Sequence, residues 1–299
     1  SVVTQFNDAA TSFSATVFKD TSGNVTLAIR GTAEAGDFIP TDVNIGLRGA
    51  GYDQIVAMYN WWQRASTAAG QSVNQFRIQE YTSLQGGGVL LYATSSLDEG
   101  GQPVTTYYYL ESSPAVAATG ELAAALGLDA DHRVDVTGHS LGGHLAMAFN
   151  TLFSSATSQV TTFNAPGFTD NAANQQFFST LGGAVPTVAN SANVTNVIAD
   201  EASTGSAPWS GIAGMHSRPG IAVDIPIENQ WLSDEPNPEG ARNHSQVILT
   251  DSLAVYNLLS QLSQPLSITD YKAILNQVAL GTSASAKTVV VAHRHSLSP

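Results

Sequence analysis

Residues 134–146 read Val-Asp-Val-Thr-Gly-His-Ser-Leu-Gly-Gly-His-Leu-Ala. Val134 and Val136, alternating with Asp135, predict a short buried strand that runs straight into Gly138-His139-Ser140-Leu141-Gly142. A small-residue helix start follows. This is the G-x-S-x-G pattern of a nucleophile elbow, a strand-to-helix turn so tight that only glycine fits two residues before and two after the serine. Such a turn lifts the Ser140 hydroxyl clear of the backbone at the positive end of a helix. The reaction class it points to is acyl transfer through a serine nucleophile.

The five residues alone carry little weight in a chain with 26 glycines. Their flanks carry more. Residues 141–153 are rich in Ala, Leu, Met and Phe and predict a helix, and Gly143 lets that helix pack close to a sheet.

Working outward, Phe13, Ala15 and Val17 alternate with polar residues, Asp20-Thr21-Ser22-Gly23-Asn24 is a turn, and Val25, Leu27 and Ile29 alternate again. This predicts an N-terminal β-hairpin that ends at Arg30-Gly31-Thr32. Ile55, Met58, Tyr59 and Trp62 fall at helical spacing and mark an amphipathic helix. Between 76 and 109, short β-like runs broken by Gly86-Gly87-Gly88 and Gly100-Gly101 read as strands at a sheet edge. After Gly120 the pattern becomes βα. A helix is expected over 121–128, strands over 160–164, 194–199 and 221–227, a long surface loop over 204–220, and a helix over 247–262 opened by Asn243-His244-Ser245. Strands alternating with helices argue for an α/β architecture, with a mostly parallel central sheet and helices on both faces. No repeat and no dividing linker is evident, so a single domain over 1–299 is expected, with 270–299 as a peripheral C-terminal extension.

Composition sets bounds on function. With 43% hydrophobic and 12% charged residues, the 299-residue chain has ample material for a core. Its net charge of −13 argues against nucleic acid, which needs a basic face, and against electrostatic binding to anionic lipid. Lipid contact would have to be apolar and peripheral. There are no cysteines, which excludes disulfides and thiolate chemistry. No run of 18 apolar residues is present to span a membrane, and Ser-Val-Val-Thr-Gln at the start is not a signal peptide. The acidic, Gly/Ser/Thr/Ala-rich composition fits a secreted bacterial protein and fits many cytoplasmic ones as well.

A serine is a poor nucleophile at neutral pH without a histidine to take its proton and a carboxylate to hold that histidine. With this elbow the chain order is serine, acid, histidine. Asp200, directly after the expected strand 194–199, is the preferred acid, and Asp170 the second choice. His244, in a polar loop before a long helix, is the preferred base. His216, in the Gly/Ser/Pro loop, is the other candidate or lines the substrate mouth. His144, one turn into the elbow helix, reads as a packing or hydrogen-bonding residue, and His293 and His295 as a frayed tail. The oxyanion needs two backbone N–H donors: Leu141 just after the nucleophile, and Thr32 at the end of an early strand. His139 beside Ser140, and Trp209 in the long loop, are further substrate-binding candidates.

Taken together, Arg30-Gly31-Thr32, Gly138-His139-Ser140-Leu141-Gly142-Gly143-His144 and Asn164-Ala165-Pro166-Gly167 resemble bacterial lipases of the lipase class 3 type, including phospholipase A1-like members. The likeness covers most of 13–262. It implies an α/β-hydrolase fold, ester hydrolysis of lipids, and a triad of Ser140, Asp200 and His244 with Thr32 and Leu141 as oxyanion hole. The C-terminal Gly/Asp-rich calcium repeats of some relatives are absent. Segment 33–44, where relatives often carry an apolar lid, holds only Phe38 and Ile39 as bulky apolar residues, and 206–219 with Trp209, Ile212 and Met215 is a second lid candidate.

The expected function is therefore a serine carboxylic-ester hydrolase acting on triacylglycerol or on the sn-1 ester of phospholipid. A soluble short-chain esterase and a non-catalytic lipid-binding module are the alternatives. A monomer that meets lipid only peripherally is expected. No cofactor is required, and no H-E-x-x-H or comparable ligand cluster exists. Calcium would have only Asp37 and Asp42, which flank one loop and are a thin site.

Overall fold

The period-two alternation around the elbow produces strands whose inward residues are nearly all buried. A computed structural model describes residues 1–31, 45, 48–126, 133–201, 216–227, 244–262, 269–270 and 273–274. These residues fall in two compact units, Ser1–Asn196 with Met215–Ile221, and Val197–Gly214 with Ala222–Pro299.

In the first unit, β1 (Val2–Asp8), β2 (Phe13–Lys19) and β3 (Val25–Ile29) form an antiparallel meander. Strand β7 (Val134–His139) then pairs parallel with β3, and β8 (Thr157–Phe163) parallel with β7. The order is β1-β2-β3-β7-β8, and the first residues of β9 (Val194–Glu201) follow. In the second unit the end of β9 neighbours β10 (Ile221–Ile227), and α5 (Gln246–Leu262) comes after. Among the described residues the chain is thus α/β, with a mixed sheet of seven strands. The hairpin expected from Phe13 to Ile29 is β2 and β3. Strand β1, which no alternation announced, adds to its outer edge with a register shift between Val2 and Thr4.

The core of the first unit lies between this sheet and two helices. Helix α1 (Tyr52–Ser66) buries Ile55, Met58, Tyr59 and Trp62, the four residues whose spacing announced it. Asp53 in its first turn and Arg64 in its last complement the helix dipole. The elbow helix α3 (Leu141–Leu152), preceded by α2 (Glu121–Leu126), is buried over ten consecutive residues, Leu141 to Asn150. Its Phe149 meets Trp62 of α1 edge-on at 4.7 Å between ring centres.

Of the runs between 76 and 109, 89–92 falls on an edge strand of a second sheet and 105–109 on its central strand. This second sheet is antiparallel and made of β4 (Ser72–Tyr81), β5 (Val89–Leu97) and β6 (Pro103–Ala117), in the order β4-β6-β5. Asn60 of α1 explains the docking. Its amide donates to the Phe76 carbonyl at 2.7 Å and accepts from the Phe76 N–H at 2.9 Å, satisfying one residue of β4 from a helix. Arg48 also lies over the Tyr92 ring at 3.7 Å, and Tyr92 stacks on Tyr108 at 4.3 Å.

Helix α4 (Ala172–Thr180) has no apolar stripe to announce it. It is started by Asn171, whose side chain accepts from the Asn174 N–H at 2.9 Å. Among the described residues no helix is long and apolar enough to cross a membrane.

Because Phe149 is fully buried, Phe149→Ala is expected to lower unfolding stability by about 3–5 kcal/mol in a urea titration. Leu84→Ala, at 66% exposure, is expected to stay within about 0.5 kcal/mol of the parent.

Candidate active site

The elbow forms because three backbone segments converge where no further β-carbon fits. A β-carbon on Gly138 would strike the Gly142 carbonyl group and come within 2.7 Å of the Gly143 nitrogen. One on Gly142 would strike the Ile29 carbonyl and reach Arg30 and Gly31 at 2.9 Å. One on Gly143 would sit 2.6 Å from the side chain of Ala165. Gly138 and Gly142 therefore bring β7, the first turn of α3 and the end of β3 into backbone contact, and Gly143 leaves room for the side chain of Ala165 from the loop after β8.

Ser140 takes up the geometric cost of that closeness. Its φ of 57° and ψ of −126° lie in a region that non-glycine residues rarely enter, at a cost of about 1–3 kcal/mol. The conformation is held from both sides. The Ser140 N–H donates to the Phe163 carbonyl at 2.9 Å, and the Ser140 carbonyl accepts from Gly143 at 3.0 Å and His144 at 3.1 Å. Leu141 opens α3, so the positive end of the helix faces the serine. The first N–H groups of a helix have no partner within it, which suits Leu141 as an oxyanion donor.

Gly31 brings the end of β3 to the same point, with the place of its β-carbon 3.6 Å from the Ser140 β-carbon and within 2.5 Å of the His139 carbonyl oxygen. Thr32 follows it in sequence and lies outside the described residues, as do Trp209, Asp37, Asp42 and His293. His139 is the half-buried last residue of β7 and pairs with Phe163.

Asp200 is placed by its backbone. Strand β9 continues through Glu201, two residues beyond the expected 194–199, so Asp200 is the next-to-last residue of the strand rather than the first after it. His244 is 8% exposed in the turn two residues before α5. Ser140, His139, Leu141 and His216 belong to the first unit, and Asp200 and His244 to the second. Asp170, the second candidate acid, accepts from the Gln175 side chain at 2.9 Å at the start of α4.

His216 has both ring nitrogens engaged, one with the Thr169 hydroxyl at 2.9 Å and the other with the Ile45 carbonyl at 2.6 Å. His144 is fully buried, in keeping with its reading as a packing or hydrogen-bonding residue, and burial pushes its pKa down to about 3. The ring is therefore neutral around pH 7. Among the described residues no group of three His, Cys, Asp or Glu side chains converges to hold a metal. No family model, no curated protein and no solved structure matches the chain.

Two expectations follow from the crowding. Gly142→Ala is expected to destabilise the fold by more than about 3 kcal/mol or to prevent folding, whereas Gly86→Ala, which opens onto free space, is expected to be near neutral by thermal melt. Ser140→Gly is expected to be more stable than Ser140→Ala by about 1 kcal/mol, because glycine enters the positive-φ region without a β-carbon penalty.

Proposed function

We propose that the chain is a serine carboxylic-ester hydrolase that cleaves acyl esters of lipids, triacylglycerol or the sn-1 ester of phospholipid. The observation that carries the reading is the backbone of Ser140: a serine at φ 57° between a parallel strand and a helix, in a turn whose glycines admit no side chain. Strain of this kind at a hydroxyl-bearing residue persists where the surroundings over-determine it, and it clusters at active sites. The resemblance of 134–146 to the lipase class 3 elbow supports the same reading. It implies in addition an α/β-hydrolase fold for the α/β sheet described above.

In the proposed mechanism His244 accepts the Ser140 proton as Oγ attacks the ester carbonyl, and Asp200 holds the imidazole in the productive tautomer. The N–H groups of Leu141 and Thr32 receive the oxyanion. Collapse of the tetrahedral intermediate expels the alcohol with the proton from His244 and leaves an acyl-Ser140. Water, deprotonated by His244, then releases the fatty acid and restores the serine. The balance is that of hydrolysis: one ester and one water become one acid and one alcohol, without redox chemistry or a metal. His139, beside the nucleophile, and Trp209, in segment 206–219, are proposed to border the acyl chain.

Ser140→Ala is expected to abolish p-nitrophenyl ester hydrolysis with folding intact, and His244→Ala to lower kcat by at least about a thousandfold. Retained turnover in Ser140→Ala removes the reading. A chain-length series assigns the substrate class: activity on emulsified long-chain esters supports the lipid assignment, and a peak at acetate or butyrate in solution, with none on emulsions, replaces it with a short-chain esterase.

A further inference from the structure

A histidine at 144 is an expensive choice. Its neighbours Gly143 and Leu145 are buried, the ring is 0% exposed, and an unsatisfied polar group there would cost more than an apolar side chain of similar size. Both ring nitrogens are used. Nε2 accepts from the Gly51 N–H at 3.2 Å, and Nδ1 lies 3.3 Å from the Pro166 carbonyl. Since Gly51 can only donate, Nε2 must carry the lone pair and Nδ1 the proton, which it donates to Pro166. One neutral tautomer meets both partners. The ring also stacks on Phe168 at 3.8 Å with the planes 16° apart.

The two backbones that His144 reaches are also tied to each other. The Thr169 N–H donates to the Gly49 carbonyl at 3.2 Å. The Asn174 amide donates to the carbonyls of Arg48 at 3.0 Å and Thr169 at 2.7 Å, and its oxygen accepts from the Tyr52 hydroxyl at 2.5 Å. His216 joins the Thr169 hydroxyl to the Ile45 carbonyl. With the carbonyl as acceptor, its Nε2 is protonated and its Nδ1 accepts from Thr169. Residues 45 and 48–51 are thus laced to 166–169 at several points, and His144 is the side chain of the elbow helix that enters the lacing. Its own N–H is bonded to the Ser140 carbonyl, so a shift of this residue acts directly on the strained serine.

We propose that His144 is a positioning residue for Ser140: its neutral ring anchors the first turn of the elbow helix to Gly51 and Pro166, and His216 joins the neighbouring Ile45 and Thr169. The proposal rests on Ser140 being the nucleophile. It gives His216 a brace's role, with neither nitrogen left for a substrate proton. Protonation of His144 would set N–H against N–H at Gly51. The titratable neighbour that acts on His144 is His216, and its effect too disfavours the protonated form of His144. The folded protein binds no proton here until about pH 3, whereas the unfolded chain binds one below its ordinary value of 6.5. This contribution to stability is therefore complete above the unfolded value. It declines as pH falls, by up to about tenfold in the unfolding constant per pH unit.

The test compares His144→Phe, which keeps a stacking ring and loses both bonds, with His144→Gln, whose amide oxygen can still accept from Gly51. In the full chain, His144→Phe is expected to lower kcat for p-nitrophenyl butyrate by about tenfold or more with KM within about threefold, and His144→Gln to recover most of it. In urea unfolding from about pH 8 to about pH 4, both variants should lose the one-proton slope of the parent. Wild-type kcat in His144→Phe, or equal losses in both variants, overturns the positioning role. If His144→Phe does not fold, His144→Gln decides: near-parent kcat supports the role, and a loss of tenfold or more overturns it. A parent protein that hydrolyses no ester overturns the proposed function alone. The brace is then judged by the unfolding slope, and an unchanged slope in His144→Gln overturns it.

Discussion

The place where a β-carbon of Gly142 would lie is filled by the carbonyl of Ile29. That close approach is the constraint on which the rest of the site depends. It fixes the end of β3 against the first turn of the elbow helix, and so decides where the chain after Gly31 leaves the sheet. It also leaves no slack between β7 and α3, so the one residue between them must turn within a single step. Ser140 makes the turn at positive φ, held by Phe163 ahead of it and by Gly143 and His144 behind it. The strain is local, and the hydrogen bonds and crowding that keep it are spread over β3, β8 and α3.

Much of this was legible in the sequence because the signals were local. The alternation of Val134 and Val136, the glycine spacing around Ser140 and the helical spacing of Ile55, Met58, Tyr59 and Trp62 each depend on a few neighbouring residues, and each element formed where expected. Strand β10 has the expected bounds, 221–227. What was not legible depends on distant partners. Val2–Asp8 has no clean alternation and becomes a strand by pairing with β2. Helix α4 has no apolar stripe and depends on the Asn171 cap and on contacts through Asn174 and Phe177. The strands between 76 and 109 read as a sheet edge because nothing local says which sheet they join. Asn60, a polar residue inside a helical stretch, is what docks them on α1.

At the site the division is similar. The glycine spacing marks Ser140 as the candidate, and the crowding at Gly138, Gly142 and Gly143 is the physical reason for that spacing. His144 looked like a packing residue, and packing it does, against Phe168. Its hydrogen bonds to Gly51 and Pro166 join positions 93 and 22 residues away, which no motif spacing could indicate. His216 illustrates the converse. In sequence it is an attractive loop histidine, yet its ring is committed to Thr169 and Ile45. A histidine whose two nitrogens are engaged braces a fold more readily than it carries a proton, and that distinction is invisible until the partners are known.

An activated nucleophile at Ser140 reacts covalently with a serine-directed electrophile in the folded protein. The intact protein is treated with a fluorophosphonate, digested, and the adduct located by mass spectrometry. One adduct is expected, on Ser140, forming faster near neutral pH than under acid conditions in which the base is protonated. An unlabelled protein, or an adduct on a different serine with Ser140 unmodified, would contradict the activation of Ser140.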